Sequence, residues 1–96
     1  MSAVGASVYA SKCAGCHGAK GQGGGGGTFP ALAGNSLVNR SDATGTIAII
    51  QHGRSMMPAW KGQLSNGDVA AVVTFIRAAW GNKGDAVTEQ DVAAVK

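Results

Sequence analysis

The chain is short of residues that several functional classes require. It has two cysteines and two histidines in 96 residues, and no two of its Lys and Arg residues are adjacent. A structural zinc site usually takes four ligands, with a second Cys or His pair. Nucleic-acid binding usually needs a clustered basic patch. The sequence therefore argues against a zinc module and against a nucleic-acid-binding protein, despite a net charge of +3.

Long apolar runs are also missing. The longest run, residues 69–76, is interrupted by Thr74 and is far shorter than the ~20 apolar residues that cross a bilayer. Residues 1–12 contain no apolar segment of the kind found in a secretory signal. We therefore expect no membrane span in this chain, and we expect it to be a mature or excised piece.

Size and composition indicate one small domain over residues 1–96 that needs extra stabilisation. A chain of this length buries only about 60–65% of its unfolded surface. Sixteen glycines add backbone entropy, and the 45% of hydrophobic residues are mostly Ala and Val. A domain of this kind usually depends on a staple such as a bound prosthetic group.

The chain does contain the run Cys-Ala-Gly-Cys-His at residues 13–17, which is typical of c-type haem attachment. Cys13 and Cys16 can form two thioether bonds to one haem, and His17 can bind the iron. A thioredoxin-type pair should lie beside a βαβ pattern, which is not visible here. A disulfide between the two cysteines would close a very small, strained loop and leave His17 unexplained. We therefore predict one covalent haem c.

Two further segments supply candidate partners for that haem. The Pro30 carbonyl can accept a hydrogen bond from the Nδ1 atom of His17 and fix the ring. A methionine sulfur suits haem iron and raises its reduction potential. Met56 and Met57 are adjacent, so only one can bind, and Pro58 stiffens the loop beside Met57. We predict Met57 as the second axial ligand.

The remaining candidate contacts come from loop positions. Arg40 and Trp60 are predicted to reach the haem propionates. Four basic residues lie close in sequence to the haem contacts: Lys12, Lys20, Arg54 and Lys61. They either surround the exposed haem edge, where they would steer an acidic partner, or form a scattered solvated surface.

Helical periodicity predicts an all-α protein. The helices are expected over 3–12, over 43–52, from Ser65 to Trp80, and after Thr88, where Ser65 and Thr88 each begin a capping box.

The first and third helices should cross. Gly5 and Tyr9 lie on one face of the first helix, and we expect Val72 and Phe75 of the third to pack against them. A glycine within a helix costs about 1 kcal/mol relative to alanine, and a close crossing at Gly5 would offset that cost.

With both haem segments in view, the chain resembles class I cytochromes c over nearly its whole length. The resemblance implies an all-α class I cytochrome c fold, with three to five short helices wrapped around one covalently bound haem. The matching positions, in chain order, are Gly5, Tyr9, Cys13, Cys16, His17, Pro30, Met57, Pro58, Val72 and Phe75.

A narrower likeness covers residues 59–96. Residues 64–82 read Leu-Ser-x-x-Asp-Val-Ala-Ala-Val-Val-Thr-Phe-Ile-Arg-x-x-Trp-Gly-Asn, which is similar to the cytochrome domain at the C-terminus of subunit II of haem-copper oxidases. It implies a monomeric electron-entry domain, itself not an enzyme, on the extracytoplasmic (periplasmic) face of a bacterial membrane. Its partners would be an upstream electron donor and the oxidase copper centre.

Two alternatives stay open. Cytochrome subunits of quinoprotein alcohol dehydrogenases look similar, so the chain could be a free or dehydrogenase-associated electron carrier. A haem sensor or peroxidase would need an open sixth site, but no second His, Arg or Glu is obviously placed beside it as an acid or base.

Overall fold

The computed structural model describes residues 3–23, 31–53, 59–60 and 62–95, with the side chains of Ala3 and Cys16 excepted. Over these ranges every regular element is a helix, which confirms the all-α prediction. None of the helices within them has the length and apolar character needed to cross a bilayer.

The N-terminal helical segment is longer than predicted. It consists of α1 (Ala3–Val8), a π-helical turn (Tyr9–Cys13) and α2 (Ala14–His17). The predicted end at residue 12 was wrong because the helix continues through the Cys-x-x-Cys-His run. It ends at Gly18, whose φ of 87° is accessible to glycine and whose N–H bonds the Ala14 carbonyl at 2.9 Å.

Helix α3 (Thr44–His52) confirms the prediction for residues 43–52 to within one residue. Asp42 supports its start, because one carboxylate oxygen accepts from the Thr44 N–H at 2.9 Å and from the Thr44 hydroxyl at 2.6 Å. Gly53 ends the helix with a φ of 77°.

Helix α4 (Asn66–Ala78) begins where predicted, but of the capping box predicted there the described residues show only one half, the Ser65 hydroxyl accepting from the Asp68 N–H at 3.0 Å. It ends two residues before the predicted Trp80. Trp80 and Gly81 have φ values of 53° and 82°, so two consecutive left-handed residues turn the chain back toward the body of the protein.

The last helix, α5 (Glu89–Ala94), confirms the second predicted capping box. The Thr88 hydroxyl accepts from the Asp91 N–H at 3.1 Å, and the Asp91 carboxylate accepts from the Thr88 N–H at 2.9 Å.

The helices pack around α4. Helix α1 crosses it at Gly5, where an added Cβ would overlap the Ala71 carbonyl oxygen and lie 3.0 Å from the Phe75 Cβ. The predicted crossing is therefore confirmed. Helices α3 and α5 also contact α4, and the apolar side chains that are almost fully buried are Ile47, Val69, Val72, Val73 and Val92.

Candidate functional site

The predicted attachment residues lie on the last turns of the N-terminal helical segment. Cys13 and His17 are four residues apart and therefore lie on one face of a helix. Cys13 is 6% exposed and packs in the hydrophobic core with Tyr9, whereas His17 is half-buried. The π-helical turn that ends at Cys13 is of a kind often found at functional sites.

The backbone that follows His17 is held on two sides. The Gly23 N–H donates to the His17 carbonyl at 2.7 Å, and the Tyr9 hydroxyl donates to the Gly18 carbonyl at 2.5 Å. Burial of the Tyr9 phenol, and secondarily the charge of Cys13 in the chain without haem, raise the pKa of Tyr9 to about 12. Tyr9 therefore remains a neutral hydrogen-bond donor over the physiological pH range.

Three aromatic rings brace the same loop. The ring centroids of Tyr9 and Trp80 are 5.0 Å apart, and Phe75 meets the Trp80 ring edge-on at 5.6 Å. The Trp80 ring lies so close to Gly21 that an added Cβ would come within 2.6 Å of it. Only a glycine fits at position 21, where φ is also 64°.

Residues 31–34 close against this loop through two sets of hydrogen bonds. The Leu32 and Ala33 N–H groups both donate to the Gly21 carbonyl, at 2.7 and 3.0 Å. Asn82 donates to the Leu32 carbonyl at 3.1 Å and accepts from the Gly34 N–H at 2.8 Å. Sequence reasoning missed Asn82, although the Trp-Gly-Asn end of the residue 64–82 pattern marked its position.

The described residues on either side of the predicted ligand Met57 both bond to the end of α3. The Gly53 N–H donates to the Ile49 carbonyl at 2.8 Å, and the Trp60 N–H donates to the Ile50 carbonyl at 2.9 Å.

The Trp60 ring also lies beside the attachment motif, because its centroid is 5.7 Å from the Lys12 Nζ atom. Lys12 directly precedes Cys13. The structure thus brings the chain that leaves the predicted Met57 segment next to the predicted haem-attachment turn.

Among the other predicted residues, the structure describes Arg40. Arg40 is exposed, and its backbone carbonyl accepts a 2.8 Å hydrogen bond from the Nη2 atom of the buried Arg77. Propionate binding by Arg40 and Trp60 stays a prediction. Pro30, Arg54, Met56, Met57 and Lys61 lie outside the described residues.

The residues present fit a covalently bound haem. A thiol-bearing residue and an imidazole lie one turn apart at the end of a helical segment with one buried face, and Trp60, beyond the predicted Met57 segment, contacts the Lys12 side chain beside that turn. Sulfur and imidazole are donors that suit haem iron and its thioether links.

Known proteins are similar to this chain in sequence. Residues 2–76 match the family described as cytochrome c oxidase, cbb3-type, subunit III. The cytochrome c subunit of alcohol dehydrogenase (quinone) from Gluconacetobacter polyoxogenes is 37% identical, over 99% of this chain and 23% of that subunit. The cbb3-type cytochrome c oxidase subunit FixP from Bradyrhizobium sp. (strain ORS 278) is 32% identical, over 84% of this chain and 28% of the FixP chain.

A solved structure agrees with the helical architecture. Cytochrome cL from Methylophaga aminisulfidivorans MPT superposes with a TM-score of 0.67 at 26% identity, covering 97% of this chain and 64% of that protein. The chain spans about a quarter of the length of the two curated relatives.

Proposed function

The chain belongs to the cytochrome c family, and from this premise we propose that it is the electron-transferring cytochrome c domain of a dehydrogenase. Cytochromes c carry one-electron equivalents on a covalently bound haem c, so the domain transfers electrons and does not itself catalyse a reaction. What the proposal adds is the partner and the residues that hold the haem.

We assign Cys13 and Cys16 to the thioether bonds and His17 and Met57 to the two axial positions. The observation that carries this assignment is the contact between Lys12 and Trp60. It joins the residue before Cys13 to a residue three positions after Met57, which supports the two predicted ligand segments lying near each other. When bound, the haem supplies a one-electron couple, and two protein ligands would leave no open coordination position for a substrate.

The chain's own contribution is to keep that site fixed. Tyr9 holds the Gly18 carbonyl beside His17, and the Ile50 carbonyl holds Trp60. An axial ligand whose backbone neighbours are bonded in this way rearranges little when the charge at the site changes. Arg40 and Trp60 remain proposed contacts to the propionates, and Pro30 remains the proposed acceptor for the His17 ring.

A dehydrogenase is favoured over a haem-copper oxidase as the larger assembly. The likeness of residues 59–96 to oxidase subunit II is not supported by the relatives, since the oxidase subunits that match are of the cbb3 type. The quinone-dependent alcohol dehydrogenase subunit is more similar and aligns with nearly the whole chain. We therefore keep the oxidase as the second candidate and do not propose a copper centre as the partner.

The partner surface is proposed to be acidic. Lys12 and Lys20 are exposed on either side of the attachment motif, where positive charge would guide an acidic protein toward the haem. The proposal also includes a single monomeric domain over residues 1–96 and an extracytoplasmic location, because haem attachment of this kind resembles a process outside the cytoplasm.

The visible spectra of haem-loaded wild type, Met57→Ala and Met56→Ala test the ligand assignment. We expect the weak red charge-transfer band of a sulfur–ferric iron bond in wild type and Met56→Ala, and its loss in Met57→Ala alone. Loss only in Met56→Ala would move the ligand by one residue. A wild type without the band that binds carbon monoxide readily when reduced would overturn the electron-carrier proposal in favour of an open-site sensor or enzyme.

The assembly is tested by electron exchange with two partners. The first partner is a quinone-dependent alcohol dehydrogenase without its cytochrome subunit, which would reduce the ferric domain. The second is a cbb3-type oxidase without its own cytochrome domains, which would oxidise the ferrous domain. We expect the first reaction to be the faster of the two. Lys12→Ala should slow the first reaction at low salt. The reverse order of the two rates would favour the oxidase.

A further inference from the structure

The Trp-Gly-Asn turn after α4 contains a buried polar side chain that the proposed function does not use. Asn82 is 7% exposed, and its Oδ1 atom accepts from the Gly34 N–H at 2.8 Å and from the Asn39 amide at 2.9 Å. Its Nδ2 atom donates to the Leu32 carbonyl at 3.1 Å and to the Ile76 carbonyl at 2.8 Å. Both donors of the amide and its acceptor oxygen are therefore in use.

These bonds join the end of α4 to the loop that contains residues 31–34. Ile76 belongs to the rigid helix, whereas Leu32 and Gly34 lie on a segment without regular structure of its own. A buried amide that bonds groups 6, 48 and 50 residues away acts as a cross-link between them. Asn82 therefore fixes the position of this loop relative to α4.

Two backbone hydrogen bonds connect the loop of residues 31–34 to the chain beside His17. The Leu32 N–H donates to the Gly21 carbonyl at 2.7 Å, and two residues later the Gly23 N–H donates to the His17 carbonyl, also at 2.7 Å. The predicted acceptor for the His17 ring, Pro30, is two positions before Leu32 in the sequence.

Trp80 reinforces the connection from the same turn. Its ring covers Gly21, and its φ of 53° is one that a large side chain adopts only when its surroundings impose it. In this turn, Trp80 therefore packs on Gly21 and Asn82 forms a hydrogen bond with Leu32.

We propose that Asn82 is a positioning residue for the proximal haem ligand His17. The inference rests on the proposed function, because it takes His17 as the axial ligand. A hydrogen bond from the second ring nitrogen of an iron-bound histidine makes the ligand more basic. A more basic ligand favours ferric over ferrous iron, since the ferric state has the larger positive charge. Releasing the loop should therefore loosen the proposed hydrogen bond from the His17 ring to the Pro30 carbonyl and raise the reduction potential.

The test compares Asn82→Leu, Asn82→Ser and Thr74→Val in the haem-loaded protein. Asn82→Leu removes all four hydrogen bonds at similar volume, and Asn82→Ser leaves a hydroxyl that reaches fewer partners. Thr74→Val is the matched control on α4, the helix that precedes the Asn82 turn, because the Thr74 hydroxyl donates to the Val87 carbonyl at 3.1 Å and accepts from the Val87 N–H at 2.9 Å. It removes a comparable link at a place without bonds to the His17 loop among the described residues.

We expect both Asn82 variants to speed amide hydrogen exchange at Gly34 and to shift the proton signals of the His17 ring in the ferric NMR spectrum. Their oxidised-to-reduced ratio at a fixed potential should fall threefold to tenfold, a rise in reduction potential of roughly 30 to 60 mV at 59 mV per tenfold for one electron. Thr74→Val should lower the free energy of unfolding and leave the His17 signals and the potential unchanged.

The proposal is overturned if the Asn82 variants lose stability as Thr74→Val does while the His17 signals and the potential stay at the wild-type values. If Asn82→Leu does not fold, Asn82→Ser carries the same comparison. A wild type whose His17 ring shows no paramagnetic shift would instead overturn the proposed ligand assignment, so the two failures are distinguishable.

Discussion

The hydroxyl of Tyr9 donates a 2.5 Å hydrogen bond to the carbonyl oxygen of Gly18, nine residues further along the chain. Tyr9 begins the π-helical turn that ends at Cys13, and Gly18 directly follows His17. One side chain therefore spans the whole attachment motif from the core side. The bond restrains the backbone next to the proposed axial ligand.

Removing this hydroxyl should weaken the fold without disturbing the ring packing. Tyr9→Phe keeps the contacts with Phe75 and Trp80 but removes one of the two donors to the Gly18 carbonyl, which keeps the Gly21 N–H at 3.1 Å. We expect the free energy of unfolding, measured by urea denaturation of the haem-loaded protein, to fall by about 0.5–1.5 kcal/mol, the net contribution of one hydrogen bond. Ser11→Ala is the control, because Ser11 is exposed and its hydroxyl only bonds carbonyls of its own helix. An equal effect of both substitutions would contradict the prediction.

Alkaline pH should destabilise the protein through the same phenol. Burial of the phenol is the larger of the causes that raise the pKa of Tyr9 to about 12, against about 10 in an unfolded chain, and it persists when Cys13 is bound as a thioether. Folding therefore favours the neutral phenol, and its contribution is complete below pH 10 and is lost as the pH rises toward 12. We expect the free energy of unfolding to fall over this interval in wild type and to fall less steeply in Tyr9→Phe. Parallel pH profiles would show that other groups cause the loss.

Local signals in the sequence predicted most of the helical architecture. The N-cap residues Ser65 and Thr88 satisfy free N–H groups within three residues, so their patterns are visible in the sequence alone. The crossing at Gly5 was also predictable, because a glycine on the buried face of a helix indicates a close neighbour. The haem motif is contiguous and was recognised for the same reason.

The contacts that hold the candidate site depend on residues far apart in the chain. Asn82 bonds Leu32 and Gly34 across 50 and 48 positions, and no local pattern identifies such partners. The predicted end of α4 was wrong because Trp80 fits the apolar spacing of the helix, whereas its packing on Gly21 holds it in a left-handed turn. Tertiary packing here overrides helical periodicity.

The capping box of α5 should be the main local determinant of that short helix. Thr88→Ala removes the hydroxyl that accepts from the Asp91 N–H. We expect the free energy of unfolding to fall by about 1 kcal/mol, the usual cost of losing an N-cap side chain. Gln90→Ala, at an exposed position of the same helix, serves as the control and should change stability little. The role of the cap would be refuted if thermal and urea unfolding of Thr88→Ala matched wild type.

The crossing of α1 and α4 predicts opposite effects for two glycine substitutions. A Cβ at Gly5 would overlap the Ala71 carbonyl oxygen and lie 2.8 Å from its carbon, and backbone atoms cannot move aside as a flexible side chain can. Alanine gains about 1 kcal/mol of helix propensity over glycine, but forcing the helices apart costs about 1–3 kcal/mol or more in a close-packed core. We expect Gly5→Ala to destabilise the haem-loaded protein in urea. Gly67→Ala, whose Cβ would meet its nearest neighbour at 3.7 Å, should be neutral or stabilising. A Gly5→Ala variant as stable as Gly67→Ala would mean that the two helices do not meet this closely in solution.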